Sequence, residues 1–254
     1  MRLEDRVALI TGGGSGIGLE TAVLFAREGA SVVAGVHKSS DAGPLEEKAQ
    51  GLAGKLVGVQ IDVTRDEDAQ RLIATAVERF GGLHVLVNNA GIVISGTVTE
   101  ATEEELQRLL DVNLKGVFLC CKYAVREMLE RGGGSIVNNS SINGLRGNHR
   151  LAAYGASKGA VVSLTRAMAL DYAAQNIRVN CVCPASIEDT RMLDFHMAAS
   201  TDQQQMREYL LAKHPIGRLG RPEEVAHAIL FLAGDEASFI TGVAIPIDGG
   251  RAIR

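Results

Sequence analysis

Val7-Ala8-Leu9-Ile10-Thr11-Gly12-Gly13-Gly14-Ser15-Gly16-Ile17-Gly18 carries an apolar run straight into a glycine-rich loop, and residues 19–28 continue it as an amphipathic helical pattern. Strand, glycine loop and helix in that order form a phosphate cradle. The glycines let the main chain turn tightly and approach a pyrophosphate, whose charge is stabilised by the free N–H groups at the helix start. Placement carries the argument, because the same glycines away from a strand–helix junction would read as an ordinary turn. The stretch therefore predicts the opening βα unit of an α/β domain.

Outward from it, apolar strand-like runs recur at 31–35, 56–61, 85–87, 135–138, 178–183 and 243–247, with helical patterns between them. This alternation is the mark of βαβ units, and near-continuous apolar strands imply a parallel sheet covered on both faces. We expect an α/β fold, a doubly wound parallel sheet. No Pro/Ser-rich linker or internal repeat divides the chain, so residues 1–254 read as a single domain. The longest helical patterns run from 103 to 131, after Thr102 as N-cap, and from 151 to 175. Segment 187–215 breaks the rhythm with amphipathic pieces bearing Met192, Leu193, Phe195, Met197, Met206, Leu210 and Leu211. It reads either as a helical lid over a substrate or as two ordinary surface helices.

Composition narrows the function. Apolar residues make up 46% of the 254 and charged ones 22%, a folded, globular balance. A net charge of -4 speaks against a nucleic-acid partner, which would require a basic stripe. No run approaches the roughly 20 apolar residues of a membrane helix, and the N-terminus lacks a signal-peptide pattern. A cytoplasmic location and no membrane partner are expected. Cys120-Cys121 and Cys181-Val182-Cys183 lack zinc-ligand gaps and read as reduced, buried thiols. The six histidines are scattered, so no metal site is expected; His149 and His196 are at most substrate neighbours.

Tyr154-Gly155-Ala156-Ser157-Lys158 places a phenol and an ammonium at i and i+4, on one helix face. A free Tyr has a pKa of about 10 and needs a neighbouring positive charge to trade protons near neutrality. Lys158 supplies one. On its own, such a pair is usually a surface neighbourhood.

Together, the Thr-Gly-x-x-x-Gly-Ile-Gly spacing at 11–18, Asn88-Asn89-Ala90-Gly91 after the fourth strand and Tyr154-x-x-x-Lys158 resemble the short-chain dehydrogenase/reductase family, over nearly the whole chain. The resemblance implies a Rossmann-like oxidoreductase with a catalytic set of Asn113, Ser141, Tyr154 and Lys158. Ser141 would orient the substrate oxygen, and Ser140 beside it reads as a core or backbone contact. Asn113, a poor helix-interior residue, would hold a proton-relay water or would simply pack. The cofactor contacts implied are Gly12, Ser15, Gly16, Ile17, Gly18, Asp62, Val63, Asn89, Ala90, Gly91, Tyr154, Lys158, Pro184, Ile187 and Thr190. Asp62 also reads as a turn or N-cap carboxylate. After the sixth strand the family pattern Pro-Gly-x-Ile/Val-x-Thr is altered: Ala185 replaces the glycine, and Asp189 stands where the threonine is expected, with Thr190 one place late. The loop must bulge, or the contact changes. Relatives imply a homotetramer.

The acid that usually holds the ribose 2′-hydroxyl about 20 residues past the glycines is here Val36. His37 and Lys38 follow it and suit a 2′-phosphate. NADP is therefore expected over NAD, although Ser15 stands where many NADP-using relatives carry a basic residue. The implied reaction moves hydride between nicotinamide and a ketone or secondary alcohol. A 3-oxoacyl-thioester on an acyl carrier is the alternative, for which Arg126, Arg131, Arg146 and Arg150 would have to form a docking patch. A non-catalytic nucleotide sensor is a third reading.

Overall fold

A computed structural model of the chain describes residues 1–198, 200 and 202–254, apart from the side chains of Pro44, Glu46 and His196, so the suggestion that His196 lines the substrate site falls outside the described residues. Seven parallel strands form one sheet: β1 (Val7–Thr11), β2 (Ser31–Val36), β3 (Lys55–Gln60), β4 (Val85–Asn88), β5 (Gly134–Asn139), β6 (Ile177–Pro184) and β7 (Ala244–Ile247). Their order is β3-β2-β1-β4-β5-β6-β7. The chain reverses direction across the sheet between β1 and β4, and in such sheets ligands bind at the strand ends beside that reversal.

Nine helices flank the sheet among the described residues: α1 (Gly16–Arg27), α2 (Gly43–Lys48), α3 (Asp66–Phe80), α4 (Glu103–Leu110), α5 (Gly116–Glu130), α6 (Ala152–Tyr172), α7 (Arg191–Ala198), α8 (Gln203–Ala212) and α9 (Pro222–Ala233). Alternate residues of a strand face opposite sides of a sheet. Ala8, Ile10, Val32, Ala34, Val85, Val87, Val137 and Val182 accordingly pack with α1 and α9 in one core. Val7, Leu9, Val33, Leu86, Ile136 and Val179 pack with α3, α5 and α6 in the other. Two dry layers explain why the strands read as unbroken apolar runs.

The strands fall where the sequence pattern places them, but the expected helix at 103–131 does not run straight. Thr102 caps α4 by accepting from Glu105 N, while the Glu105 carboxylate accepts from Thr102 N. A π-helical turn, Asp111–Lys115, then separates α4 from α5. Segment 187–215 contains α7 and α8, and no helix among the described residues is long and apolar enough to cross a membrane.

Arg178 on β6 closes the C-terminus of α9. Its guanidinium donates to the carbonyls of Leu232 (2.8 Å), Ala233 (3.3 Å) and Gly234 (3.0 Å), and α9 has no basic residue in its own last turn. These carbonyls carry the negative end of the helix dipole. We predict that Arg178→Met lowers unfolding stability by about 2 kcal/mol, the scale of charge-assisted hydrogen bonds left unmade. Urea denaturation measures it, and an unchanged midpoint would contradict the capping role.

Candidate active site

The glycine loop is shaped by close approaches. Gly12 has φ +66°, and a Cβ there would stand 2.9 Å from Ala90 Cα; a Cβ on Gly18 would stand 2.1 Å from the Gly12 carbonyl oxygen. No side chain fits at either position. Thr11 fastens the loop to β4: its Oγ1 accepts from the amides of Asn89 (3.0 Å) and Ala90 (3.1 Å). Asn89 returns the contact, with Nδ2 donating to the carbonyls of Thr11 and Gly12, both at 3.1 Å.

The connection extends further. Asn139 Nδ2, at the end of β5, donates to Asn89 Oδ1 at 2.9 Å, and Lys158 Nζ on α6 donates to the Asn139 carbonyl at 2.9 Å. A hydrogen-bonded line thus runs from the loop at Gly12 to the lysine. Thr11 opens the glycine motif without a role of its own in the sequence reading, and Asn139 has none there. Asn139 had a readable signal, the second of two consecutive asparagines closing the strand, but its partner is 50 residues distant.

Asn113 is fully buried in the π-helical turn and clamps Ile92 in both directions: Oδ1 accepts from Ile92 N and Nδ2 donates to Ile92 O, both at 2.9 Å. Nδ2 also donates to Ser157 Oγ at 3.1 Å, next to Lys158. The π turn is the physical reason the helix breaks, since a one-residue bulge turns this amide inward. Gly91 lies against both groups; a Cβ on it would sit 3.3 Å from Asn113 Oδ1 and from Lys158 Nζ.

Tyr154 and Lys158 are buried on α6, with Nζ 6.0 Å from the phenol ring centre. Burial pushes the Tyr154 hydroxyl up to about 12, while a hydrogen bond to Ser141 pulls it the other way. Burial also brings Lys158 down to about 8. Ser141 sits just past β5, which ends at Asn139 rather than at Ser140; Ser141 Oγ donates to Pro184 O at 3.5 Å and accepts from Asn143 N at 3.2 Å. Ser140 instead donates to the Lys158 carbonyl at 2.8 Å. Met192, in the first turn of α7, receives the Tyr154 hydroxyl at Sδ, 3.5 Å away.

The altered loop after β6 is resolved by one backbone angle. Asp189 adopts φ +53°, a left-handed conformation that suits Asp better than most residues. Through this bulge Thr190 reaches the glycine loop one position late, its methyl 3.1 Å from a Cβ position on Gly16. Ala185 needs no left-handed backbone, so nothing there demands glycine. Ile187 is buried and bridges to Gly220. Pro184 ends β6 beside Ser141.

Just past β3, Asp62 Oδ1 accepts from Thr64 N (3.0 Å) and Thr64 Oγ1 (2.8 Å), a turn rather than a helix cap, and Val63 packs against Gly116 of α5. His37 and Lys38 are exposed after β2; Ser15 and Ile17 are half-buried at the start of α1. His149 is exposed. Among the described residues, no group of three or more His, Cys, Asp or Glu is placed to hold a metal.

Known proteins share this arrangement. The family profile described as Enoyl-(Acyl carrier protein) reductase matches residues 12–252. The 3-oxoacyl-(acyl-carrier-protein) reductase FabG of Thermotoga maritima is 43% identical over 100% of both chains. The 2-(S)-hydroxypropyl-CoM dehydrogenase 3 of Xanthobacter autotrophicus is 44% identical over 98% of this chain and 97% of its own. The crystal structure of levodione reductase superposes with a TM-score of 0.95 at 34% identity, covering 99% of each chain. The chain belongs to the short-chain dehydrogenase/reductase family. It is an NAD(P)-dependent oxidoreductase acting between CH–OH and C=O groups.

Replacing Asn113 with Ala would orphan both main-chain groups of Ile92, an expense of about 1–3 kcal/mol per buried unsatisfied group. We predict a lower thermal midpoint and faster hydrogen exchange at the Ile92 amide, read by NMR. An Ile92 amide as protected as before would show that the clamp is not what holds this loop.

Proposed function

We propose that the enzyme interconverts a small ketone and its secondary alcohol, with Tyr154 as proton donor and acceptor, Lys158 as its charged neighbour, Ser141 as the hydroxyl that orients the substrate oxygen, and Asn113 as the support behind Lys158. The observation that carries this reading is the buried assembly itself, in which Tyr154 and Lys158 share one face of α6, a main-chain carbonyl holds Lys158, and Ser141 is buried just past β5 beside Pro184. The glycine cradle, where added Cβ atoms would collide, fits a dinucleotide pyrophosphate along Gly12, Ser15, Gly16, Ile17 and Gly18. Asn89, Ala90 and Gly91 would border the adenosine side, with Tyr154 and Lys158 on the nicotinamide ribose and Pro184, Ile187 and Thr190 along the nicotinamide amide. Asp62 and Val63 would meet the adenine. When bound, the nicotinamide supplies or accepts the hydride.

In reduction, Tyr154 gives its proton to the developing alkoxide and Lys158 keeps that transfer favourable. Burial suits these roles, since charges act more strongly where water is excluded. NADP is the cofactor we favour, because Val36 is buried and apolar where an acid would hold a ribose hydroxyl, and His37 and Lys38 follow it on the surface. Residues 187–215 act as a lid over the site, supported by the Met192 contact to Tyr154.

A small substrate is preferred to a carrier-bound thioester because three of the four arginines a carrier would need are engaged within the chain, Arg131 with Glu127, Arg150 with Glu100 and Arg146 on the carbonyls of Arg251 and Arg254, while the fourth, Arg126, lies over the Tyr123 ring. A homotetramer is supported by Phe118 and Leu170 on α5 and α6, which are 54% and 85% exposed. Four buried free thiols fit the reducing cytoplasm.

Two measurements test the chemistry. Tyr154→Phe should lower kcat/KM for ketone reduction by roughly 10²–10⁴, the range of general acid catalysis, with cofactor affinity retained; full activity would sink the mechanism. Lys158 is charged below a pKa of about 8 and neutral above it, so kcat/KM should fall as pH rises through about 8. The residual activity of Lys158→Met should lack that limb, and a limb that persists belongs to another group. Initial rates with NADPH and NADH decide the cofactor; a preference for NADH overturns the NADP reading.

A further inference from the structure

The first residue of α7 reaches back across the glycine loop. Beside Thr190, the Asp189 carbonyl oxygen lies 3.4 Å from a Cβ position on Gly16, so the chain enters α7 in contact with the loop. Arg191 follows at once, and its Nη2 donates to Asp41 Oδ2 at 2.9 Å. Asp41 comes from the other flank. It closes the short 3-10 turn Ser39–Asp41 after β2, and its Cβ lies 2.8 Å from where a Cβ on Gly14 would stand, with Val36 Cγ1 at 3.2 Å. Opposite charges from the β2 end and from segment 187–215 therefore meet over the glycine loop.

Their placement bears on the cofactor. A carboxylate against this loop at the end of β2 would favour a ribose hydroxyl and repel a 2′-phosphate. Arg191 offsets that charge. Its side chain is 60% exposed against 17% for Asp41, so the acid is seated and the cation is free to turn. An exposed ion pair is weak in water. A phosphate, by contrast, matches the planar guanidinium fork with two parallel hydrogen bonds.

We propose that Arg191 determines specificity for a 2′-phosphorylated dinucleotide: the phosphate takes the guanidinium from Asp41 and draws the start of α7 down over the bound nucleotide. The proposal rests on the NADP reading above. It also ties cofactor to substrate site, because the next residue, Met192, is the one in contact with the Tyr154 hydroxyl.

Calorimetric titration of the full chain with NADP⁺ and with NAD⁺ tests it, using wild type, Arg191→Met, Arg191→Lys and Asp41→Asn. Arg191→Met should weaken NADP⁺ roughly tenfold or more, as expected for a lost charge-assisted bond, while NAD⁺ stays within about twofold. Arg191→Lys should fall between, since it keeps the charge but loses the fork. Asp41→Asn should shift the ratio the opposite way, toward NADP⁺, and carries the test alone if Arg191→Met does not fold. Equal weakening of both nucleotides, or of neither, overturns the proposal. The readout is the change in the NADP⁺/NAD⁺ ratio between variants. A wild type that prefers NAD⁺ would overturn the NADP reading, yet an Arg191-dependent ratio would still assign Arg191 this role.

Discussion

Everything in the site depends on how β1 and β4 are fastened at the point where the sheet reverses. Thr11 and Asn89, with their neighbours Gly12 and Ala90, make four hydrogen bonds between side chains and main chain at the carboxyl ends of these strands. Parallel strands that diverge to opposite sides leave a crevice there, and its floor carries main-chain groups that must be satisfied without closing the gap. The Thr11–Asn89 clamp does this. By using both ends of the Asn89 amide it also fixes where Asn139 must donate, and through the Asn139 carbonyl where Lys158 must lie. The glycine loop and α6 are thus parts of one polar framework set into two apolar layers.

That framework governs the electrostatics. Lys158 is almost fully buried and its ammonium is held by a carbonyl rather than a carboxylate, so desolvation pulls its pKa down toward neutrality. Tyr154 is driven the other way by the same burial and tempered by Ser141. Two groups whose ordinary pKa values nearly coincide are therefore separated by their surroundings. Such separation leaves Tyr154 holding its proton near physiological pH and sets the loss of the Lys158 charge just above it.

The departures from regular geometry gather around this centre. The π turn at Asp111–Lys115 bends a long helix to turn Asn113 inward, and the left-handed backbone at Asp189 returns Thr190 to the glycine loop. Each is a local irregularity compensated by contacts to other elements, the pattern expected where structure serves a site. The start of α7, carrying Arg191 toward Asp41 and Met192 toward Tyr154, joins the glycine-loop end of the crevice to the end that holds Tyr154.

The residues alone decided the alternating α/β architecture, because strands buried on both faces must be apolar throughout and glycines are forced where main chain approaches main chain. They also presented Tyr154 and Lys158 on one helix face, since that spacing is local. The bend at Asn113 was only hinted at by an Asn in a helix interior, as the bonds that hold it reach back to Ile92. Asn139 as the link to Lys158, the bulge that reconciles Asp189 with Thr190, and the Arg191–Asp41 bridge across 150 residues were settled only by tertiary structure. Each depends on a distance between segments far apart in the chain, and no local spacing records such a distance.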